Sequence, residues 1–207
     1  RITDGIRRIL VDVMQLRKGW DFPIDGFPIR ICRQARAFRC KLFEGVASTG
    51  YCEAQKEWFH GFKGHLLVNE EGMIVNMTVT GASTGERAAS WDLVEGVHGF
   101  LIGDKGYIGK EYGELLEEVG IVLRTPNKSN MKGSNVWVEE GWTNERKIIE
   151  TVISQLTGRY GLREMRARDV WHMSARVHRK LLAHTVGCWL CILNGWPPLQ
   201  HHLLLPR

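Results

Sequence analysis

Short apolar runs alternate along the chain with segments of helical periodicity. Residues 99–102 and 121–123 are apolar at nearly every position, which predicts strands buried on both faces of a sheet. Residues 58–69 and 73–80 are rich in β-forming side chains and flank a Glu-Glu-Gly turn, which predicts an antiparallel hairpin. Residues 22–29 predict a further extended segment, so the pattern contains five strands.

Two prolines, Pro23 and Pro28, fall inside that extended segment. Proline has no backbone N–H, so neither position favours a central ladder, although a strand or strand end remains compatible with the segment. Asp25 lies between them, where a charged side chain needs a cation, another partner or an exposed edge. We therefore expect the segment to be extended. We also expect the carboxylate of Asp25 either to have a specific partner or to be exposed to solvent.

Helical patterns separate and follow these strands. They cover residues 6–17, 84–97, 110–119, a segment that begins at residue 143 or 144, and residues 174–193. The clearest has its apolar residues at i, i+3, i+4 and i+7 from Tyr112 to Val119, and Gly120 caps its end. Strands interleaved with helices predict an α/β fold, with a mixed sheet, helices on its faces and a C-terminal helical extension.

Three carboxylates occupy comparable places in this plan. Asp104 follows the strand at 99–102, Asp25 lies in the extended segment, and Glu150 lies at the margin of a buried helix face. Ligands bind beyond the carboxyl ends of strands in open α/β sheets, which favours a site at this edge. Each position also has an ordinary explanation, with Asp104 as a turn residue and Glu150 as the i, i+4 ion-pair partner of Arg146.

If the three carboxylates converge, their mutual repulsion raises their pKa values unless cations bind between them. Carboxylate oxygens suit hard cations such as Mg²⁺. Two such ions can activate an attacking oxygen and stabilise a leaving oxygen during phosphoryl transfer. The arrangement therefore predicts a two-metal site for phosphoryl transfer.

Composition narrows the class of protein. The 207 residues suit one domain with a helical appendage, and the formal net charge of +5 is compatible with nucleic acid as a partner. Five cysteines without a regular spacing favour a reducing cytoplasm, and no apolar run reaches the length of a membrane span.

Cys188 and Cys191 form a C-x-x-C inside an apolar run. Since neither a second C-x-x-C nor a nearby histidine pair completes a zinc site, we interpret them as core thiols.

Basic side chains are concentrated in two runs, residues 30–41 and 159–180. Such runs form either a solvated face or a strip that contacts phosphates. In the hairpin, Lys63 and His65 share one face of a strand, which directs both either toward a ligand or toward solvent. These positions are the candidates for contact with nucleic acid.

Four motifs resemble the DDE transposases of bacterial insertion sequences, which have a ribonuclease H-like fold. The motifs are Ile-Asp-Gly-Phe-Pro at 24–28, Trp-Phe-His-Gly-Phe-Lys-Gly-His-Leu at 58–66, Gly-Asp-Lys-Gly-Tyr at 103–107 and Arg-Lys-Ile-Ile-Glu-Thr-Val at 146–152. The resemblance extends from about residue 21 to about residue 200, and the third and fourth motifs are its most specific part. It implies a ribonuclease H-like mixed five-stranded sheet flanked by helices, with a C-terminal helical extension.

The resemblance also implies roles for individual residues. Asp25 and Asp104 correspond to the two catalytic aspartates and Glu150 to the catalytic glutamate, and the same three side chains would bind two Mg²⁺ ions, or Mn²⁺ in their place. The residues expected to contact DNA are Arg30, Arg33, Lys63, His65, Lys105, Arg146, Arg166 and Arg168. The chain departs from the usual family pattern at Gly26, Thr143 and Thr157.

The function implied by the resemblance is that of a transposase, with metal-dependent cleavage at the ends of a mobile element followed by strand transfer. The implied partners are element ends with inverted repeats, target DNA and a second copy of the chain on DNA, in the cytoplasm and nucleoid of a bacterium. We expect residues 1–20 to be the end of a truncated N-terminal helical region, 21–160 the catalytic domain, and 161–207 its basic helical extension. A structure-selective nuclease of the same fold and an inactive, DNA-binding transposase relic remain as alternatives.

Overall fold

Six strands form one mixed sheet within residues 2–126, 142–163 and 165–204, the residues that the computed structural model describes. The strands are β1 (Asp21–Arg33), β2 (Ser48–Cys52), β3 (Glu57–Val68), β4 (Ile74–Gly81), β5 (Gly99–Ile102) and β6 (Ile121–Arg124). Their order is β2-β3-β1-β5-β6, and β4 also pairs with β3. β1 and β3 are antiparallel, whereas β5 and β6 extend the sheet in parallel. The α/β class is confirmed, and the order is consistent with a ribonuclease H-like fold.

β2 is the strand that the hydrophobic pattern did not predict. Its sequence, Ser-Thr-Gly-Tyr-Cys, contains no apolar run, and it pairs with the first half of β3 while β4 pairs with the second half. Gly50 is required there, because a Cβ at this position would lie 2.5 Å from the backbone oxygen of Ala82. The sheet therefore has one strand more than the five predicted.

Helices cover both faces of the sheet. The described helices are α1 (Ile2–Val13), α2 (Glu86–Ser90), α3 (Lys110–Glu118), α4 (Trp142–Ser154) and α5 (Val170–Leu193). A π-helical turn, Gln155–Arg159, directly follows α4. α2 is shorter than the helix predicted over 84–97, because the chain continues beyond Ser90 as turns. In the described ranges no helix is both long and apolar enough to cross a membrane.

Side chains of β1 alternate between two hydrophobic cores, one on each face of the sheet. Phe22 and Ile24 belong to the first core. Phe27 and Ile29 belong to the second, to which α4 contributes Ile149. Successive residues of a strand point to opposite faces, so α4 covers the face to which the odd-numbered residues in this part of β1 point.

β1 is an interior strand in spite of Pro23 and Pro28, where the sequence disfavoured a central ladder. Pro28 pairs with Lys63 of β3, whereas the pairing of β1 with β5 ends at Pro23. Beyond Pro23, β1 therefore has a neighbouring strand on one side only. On the side without a neighbouring strand, the missing N–H of a proline costs no ladder hydrogen bond. The gap between β1 and β5 begins at the same point.

Candidate active site

Asp25 and Asp104 reach the same edge of the sheet because β1 and β5 run parallel. The last residues paired between these strands are Pro23 and Ile102. Asp25 and Asp104 each lie two residues further along, where the ladder has ended. Asp104 Oδ1 also accepts a hydrogen bond from the Gly106 N–H at 2.8 Å, as expected of a turn residue. Asp104 therefore combines the turn geometry with a position at the opening of the sheet.

α4 brings Glu150 to this edge. Ile149 is buried in the core beside β1, on the face to which Asp25 points, and Glu150 follows it at the margin of that core. Arg146, one turn earlier, donates its Nε–H to Glu150 Oε1 at 2.6 Å, and both side chains are more than half exposed. The predicted i, i+4 ion pair is therefore present, and both of its members line the same cleft as Asp25 and Asp104.

A fourth carboxylate, Glu86 at the start of α2, belongs to this group and was not predicted. Lys63 Nζ donates to Glu86 Oε1 at 3.3 Å. A Cβ built on Gly106 would overlap Glu86 Oε2, and a Cβ built on Gly26 would lie 3.6 Å from Glu86 Oε1. Gly106 therefore leaves the space that Glu86 occupies, whereas a Cβ at Gly26 would be in ordinary contact with it. The local signal for Glu86 was an acidic residue in a first helical turn, which is common without any site.

The electrostatics of Asp25 reflect this crowding of carboxylates. Burial is the largest cause that raises the pKa of Asp25 to about 7, and the charges of Asp104, Glu86 and Glu150 act in the same direction. A hydrogen bond from the next backbone N–H opposes the shift. Burial, followed by the charges of Glu86, Asp25 and Asp104, also raises the pKa of Tyr107, whose buried hydroxyl has no hydrogen-bond partner among the described residues.

We call the cleft lined by Asp25, Glu86, Asp104 and Glu150 the acid cleft. It is open to solvent, has a volume of about 700 Å³ and also contains the side chains of Lys63, Arg146, Thr157 and Arg163. A smaller lobe of about 340 Å³ continues past Asp25 and Asp104 toward Lys105. The carboxylates are thus accessible to a large ligand at the edge of the sheet.

Arginines from both predicted basic runs meet in a second depression of about 540 Å³, which we call the basic groove. Arg30 and Arg33 come from the end of β1, and Arg163 and Arg166 come from the segment before α5. Arg163 lines the acid cleft as well, so the two depressions adjoin. Arg30 also forms an ion pair with Glu57, which holds its guanidinium at the rim.

The other residues predicted to contact DNA differ in exposure. Lys105 and Arg168 are exposed, and Lys63 is partly buried in the wall of the acid cleft. His65 is fully buried, with its Nε2 2.9 Å from Thr80 Oγ1. Burial, followed by the charge of Lys63, lowers the pKa of His65 to about 4, so the ring is neutral. The prediction that His65 contacts DNA is corrected, because its side chain has no exposed surface in this structure.

The sequence of the chain matches a known family. A family model described as a transposase DDE domain matches residues 17–170, which is most of the chain. The chain belongs to this family. The matched residues extend from just before β1 to the start of α5 and include Asp25, Glu86, Asp104 and Glu150. No curated protein matches the chain.

DDE transposases use divalent metal ions, and the acid cleft of this DDE domain has donors that suit them. Asp25, Glu86, Asp104 and Glu150, four of the five acids that line it, offer only oxygen atoms, which favours hard cations such as Mg²⁺ and Mn²⁺. The raised pKa of Asp25 reflects burial together with repulsion between carboxylates, and a cation bound among them would relieve that repulsion. The residues of the cleft therefore fit a divalent metal site.

Proposed function

We propose that this DDE domain cleaves DNA at the ends of a mobile element and joins the freed 3′-hydroxyl to target DNA. Water would attack the scissile phosphorus in the first step and release the 3′-oxygen. That oxygen would attack a target phosphodiester in the second step. The observation that carries the proposal is the convergence of carboxylates in an open cleft that adjoins a groove lined by arginines.

In this proposal Asp25, Asp104 and Glu150 hold two Mg²⁺ ions, for which Mn²⁺ can substitute. When bound, the ions would supply charge stabilisation to the attacking and leaving oxygens of an in-line displacement. Asp25 must be ionised to bind a cation, and its pKa of about 7 in the metal-free chain means that binding displaces a proton near neutral pH. Glu86 faces Lys63, which supports a role in orienting that side chain at the wall of the cleft.

Arginine side chains perform the positioning in this scheme. Arg146 holds the carboxylate of Glu150 through its Nε–H, so that the glutamate approaches the cleft in one orientation. Arg33, Arg163 and Arg166 would bind phosphates of the DNA backbone in the basic groove and direct the strand toward the adjoining acids. These contacts supply affinity without sequence specificity.

We further propose that the catalytic unit extends over residues 21–160 and that 161–207 forms its basic extension. The extension contributes Arg163 and Arg166 to the groove, which supports a role in holding DNA. The homodimer on DNA, the origin in a bacterial insertion sequence and the nucleoid location stay predictions.

The test is an assay with the purified chain, Mg²⁺, and DNA carrying the segments that flank its coding sequence. We expect nicked ends with free 3′-hydroxyls and their joining to a target plasmid. Asp104→Asn should remove both activities, whereas Asp92→Asn, an exposed acid outside the acid cleft, should keep them. Cleavage without joining would favour the nuclease, and DNA binding without either reaction would favour the inactive relic.

A further inference from the structure

Three side chains that commonly bind metals meet in the interior, outside the lining of the acid cleft. His184 and Cys188 lie one turn apart on α5, and His201 comes from the short helical turn that follows. Cys188 Sγ lies 3.6 Å from His184 Nδ1 and 3.2 Å from His201 Nε2. The three ligand atoms all lie within 4.8 Å of one another, and all three residues are buried. We call this group the His–Cys cluster.

Hydrogen bonds determine which nitrogen of His184 faces Cys188 with a lone pair. Gln155 Nε2 donates to the backbone oxygen of Leu199 at 2.7 Å, so Gln155 Oε1 is the atom that lies 3.0 Å from His184 Nε2. Because an amide oxygen only accepts, His184 Nε2 carries the proton. Its Nδ1 then presents a lone pair to Cys188. The ring is neutral, since burial lowers the pKa of His184 to about 3.

His201 has an equivalent arrangement. Its Nδ1 lies 3.0 Å from the Tyr160 hydroxyl, and its Nε2 faces Cys188. When Nδ1–H donates to the Tyr160 oxygen, Nε2 presents a second lone pair to the cluster. Metal-binding histidines usually hold their other ring nitrogen in such a bond, which fixes the tautomer and the orientation of the ring. His184 therefore has the outer hydrogen bond of a metal ligand, and His201 has a partner for the same bond in one of its two tautomers.

We propose that the His–Cys cluster binds one Zn²⁺ ion through His184 Nδ1, Cys188 Sγ and His201 Nε2. Two imidazole nitrogens and a thiolate are ligands that Zn²⁺ prefers, whereas the carboxylates of the acid cleft offer only oxygens. Residues four apart on a helix share a face, which is how α5 supplies two of the ligands. On binding, a sulfur–zinc bond replaces the S–H bond of Cys188, and the proton passes to solvent.

The burial of Cys188 in the first hydrophobic core confirms its interpretation as a core thiol, and the proposed site adds a second role to it. The sequence showed no histidine pair beside the C-x-x-C, because one histidine lies a helical turn earlier and the other thirteen residues later. Cys191, the second cysteine of the motif, is not part of the cluster. The pairing depends on the chain folding back after α5, which no local spacing reveals.

A bound ion would stabilise the helix that carries Glu150. Gln155 is the first residue after α4, and its amide bonds both His184 and the backbone of Leu199. The ion would thus join α5, the segment after it and the end of α4 into one unit. Since the cluster is buried, it has no open side for a substrate, and we assign the ion a structural role.

A hydrogen-bond network without metal is the competing arrangement. In that network Tyr160 donates to His201 Nδ1, His201 Nε2–H donates to Cys188, and the Cys188 S–H donates to His184. Only the metal-bound state contains a bond between a metal and a thiolate. A spectroscopic signal of that bond therefore distinguishes the two arrangements.

The test is titration of the purified, reduced and metal-stripped chain with Co²⁺, whose thiolate complexes absorb light by sulfur-to-cobalt charge transfer. We expect this absorption to saturate at about one ion per chain and to disappear when Zn²⁺ displaces Co²⁺. Cys188→Ser should abolish the absorption, and His201→Gln should weaken Co²⁺ binding by at least about tenfold. Asp104→Asn should leave the absorption unchanged, because its carboxylate lies in the acid cleft.

Cys191→Ala is the matched control, since it removes a buried thiol from the same helix outside the cluster. It should keep the absorption, and its loss in a folded Cys191→Ala chain would overturn the ligand set. A folded wild-type chain without charge-transfer absorption would overturn the proposal and support the metal-free network. The wild-type titration alone decides whether the cluster binds a metal through a thiolate, so that result does not depend on the folding of any variant. Circular dichroism monitors the folding of each variant separately.

Discussion

The acid cleft and the His–Cys cluster lie at opposite extremes of access to water. In the acid cleft Asp104 and Glu150 are exposed, whereas the cluster is fully enclosed and its three groups are hydrogen-bonded to one another or to Gln155 and Tyr160. The cleft concentrates charge, and the cluster consists of polarisable groups that are neutral when no ion is bound. In this DDE domain the oxygen donors of the carboxylates thus lie in the open region, and the nitrogen and sulfur donors lie in the closed one.

The difference shows what each region is suited to do. An open group of carboxylates can admit a DNA strand and exchange ions with solvent, but it costs stability while it is empty. A closed cluster cannot admit a substrate, so the role proposed for it is to hold segments together. Both regions depend on one helix, since Glu150 lies on α4 and Gln155 directly follows it.

The strongest test of the comparison is Asp104→Asn in the acid cleft. We expect DNA cleavage to fall by at least about a hundredfold, the usual loss when an electrostatic group at a reaction centre is removed. The melting temperature without metal should be unchanged or slightly higher, because asparagine can still accept from the Gly106 N–H and one negative charge is gone. If activity were retained and stability clearly fell, Asp104 would be a turn residue without a role in catalysis.

The second test uses the pH dependence of stability to measure how much the acid cleft destabilises the folded chain when no metal is bound. The pKa of Asp25 is about 7 in the folded chain and near 3.8 in the unfolded one, so the folded state binds more protons between these values. Stability in a chelator should therefore fall as pH rises from about 4 to about 7. Asp25→Asn should flatten this slope and be more stable at pH 8 by about 1–3 kcal/mol.

Chemical denaturation at several pH values measures the effect of Asp25→Asn. Mg²⁺ should raise the stability of the wild type and leave that of Asp25→Asn nearly unchanged, since the variant lacks one ligand charge. Asp92→Asn should keep the wild-type slope. An unchanged slope in Asp25→Asn would mean that another group titrates.

Gln155→Ala tests the region in which the cluster meets the end of α4. Removing the amide leaves the His184 N–H and the Leu199 oxygen without their partner, which should lower the free energy of unfolding by about 1–3 kcal/mol. Affinity for Co²⁺ should fall about tenfold, as is typical when an outer partner of a metal ligand is removed. Gln34→Ala, at an exposed position, should change neither quantity. Unchanged Co²⁺ affinity in Gln155→Ala would contradict the assigned tautomer of His184.

The smallest expected effect concerns the basic groove beside the acid cleft. Arg166→Ala should weaken binding to duplex DNA several-fold, equally for all sequences, because it removes a phosphate contact. The slope of log affinity against log salt should decrease by about one. Fluorescence anisotropy at several salt concentrations measures both, with Lys110→Ala on α3 as the control. An unaltered salt slope would indicate that Arg166 does not lie on the DNA-facing surface.

Local patterns were sufficient for much of the fold. The apolar runs predicted β5 and β6, the turn at residues 70–72 predicted the hairpin of β3 and β4, and the repeat from Tyr112 predicted α3. Such patterns report which way neighbouring side chains point, so they work where an element has a clear buried face. β2 lacked such a face, and α2 ended four residues after it began, so neither was predicted correctly.

The sequence by itself predicted the three acids and the elements that carry them, because Asp104 follows a recognisable strand, Glu150 lies at the margin of a buried helix face and Asp25 lies inside an apolar extended segment. Tertiary structure alone decided that Glu86 joins them, that His65 is buried, and that arginines from two distant runs share a groove. It alone also brought His201 back to Cys188. The physical reason is that periodicity acts over a few residues, whereas these contacts depend on strand register and on how the chain folds back over its own helices.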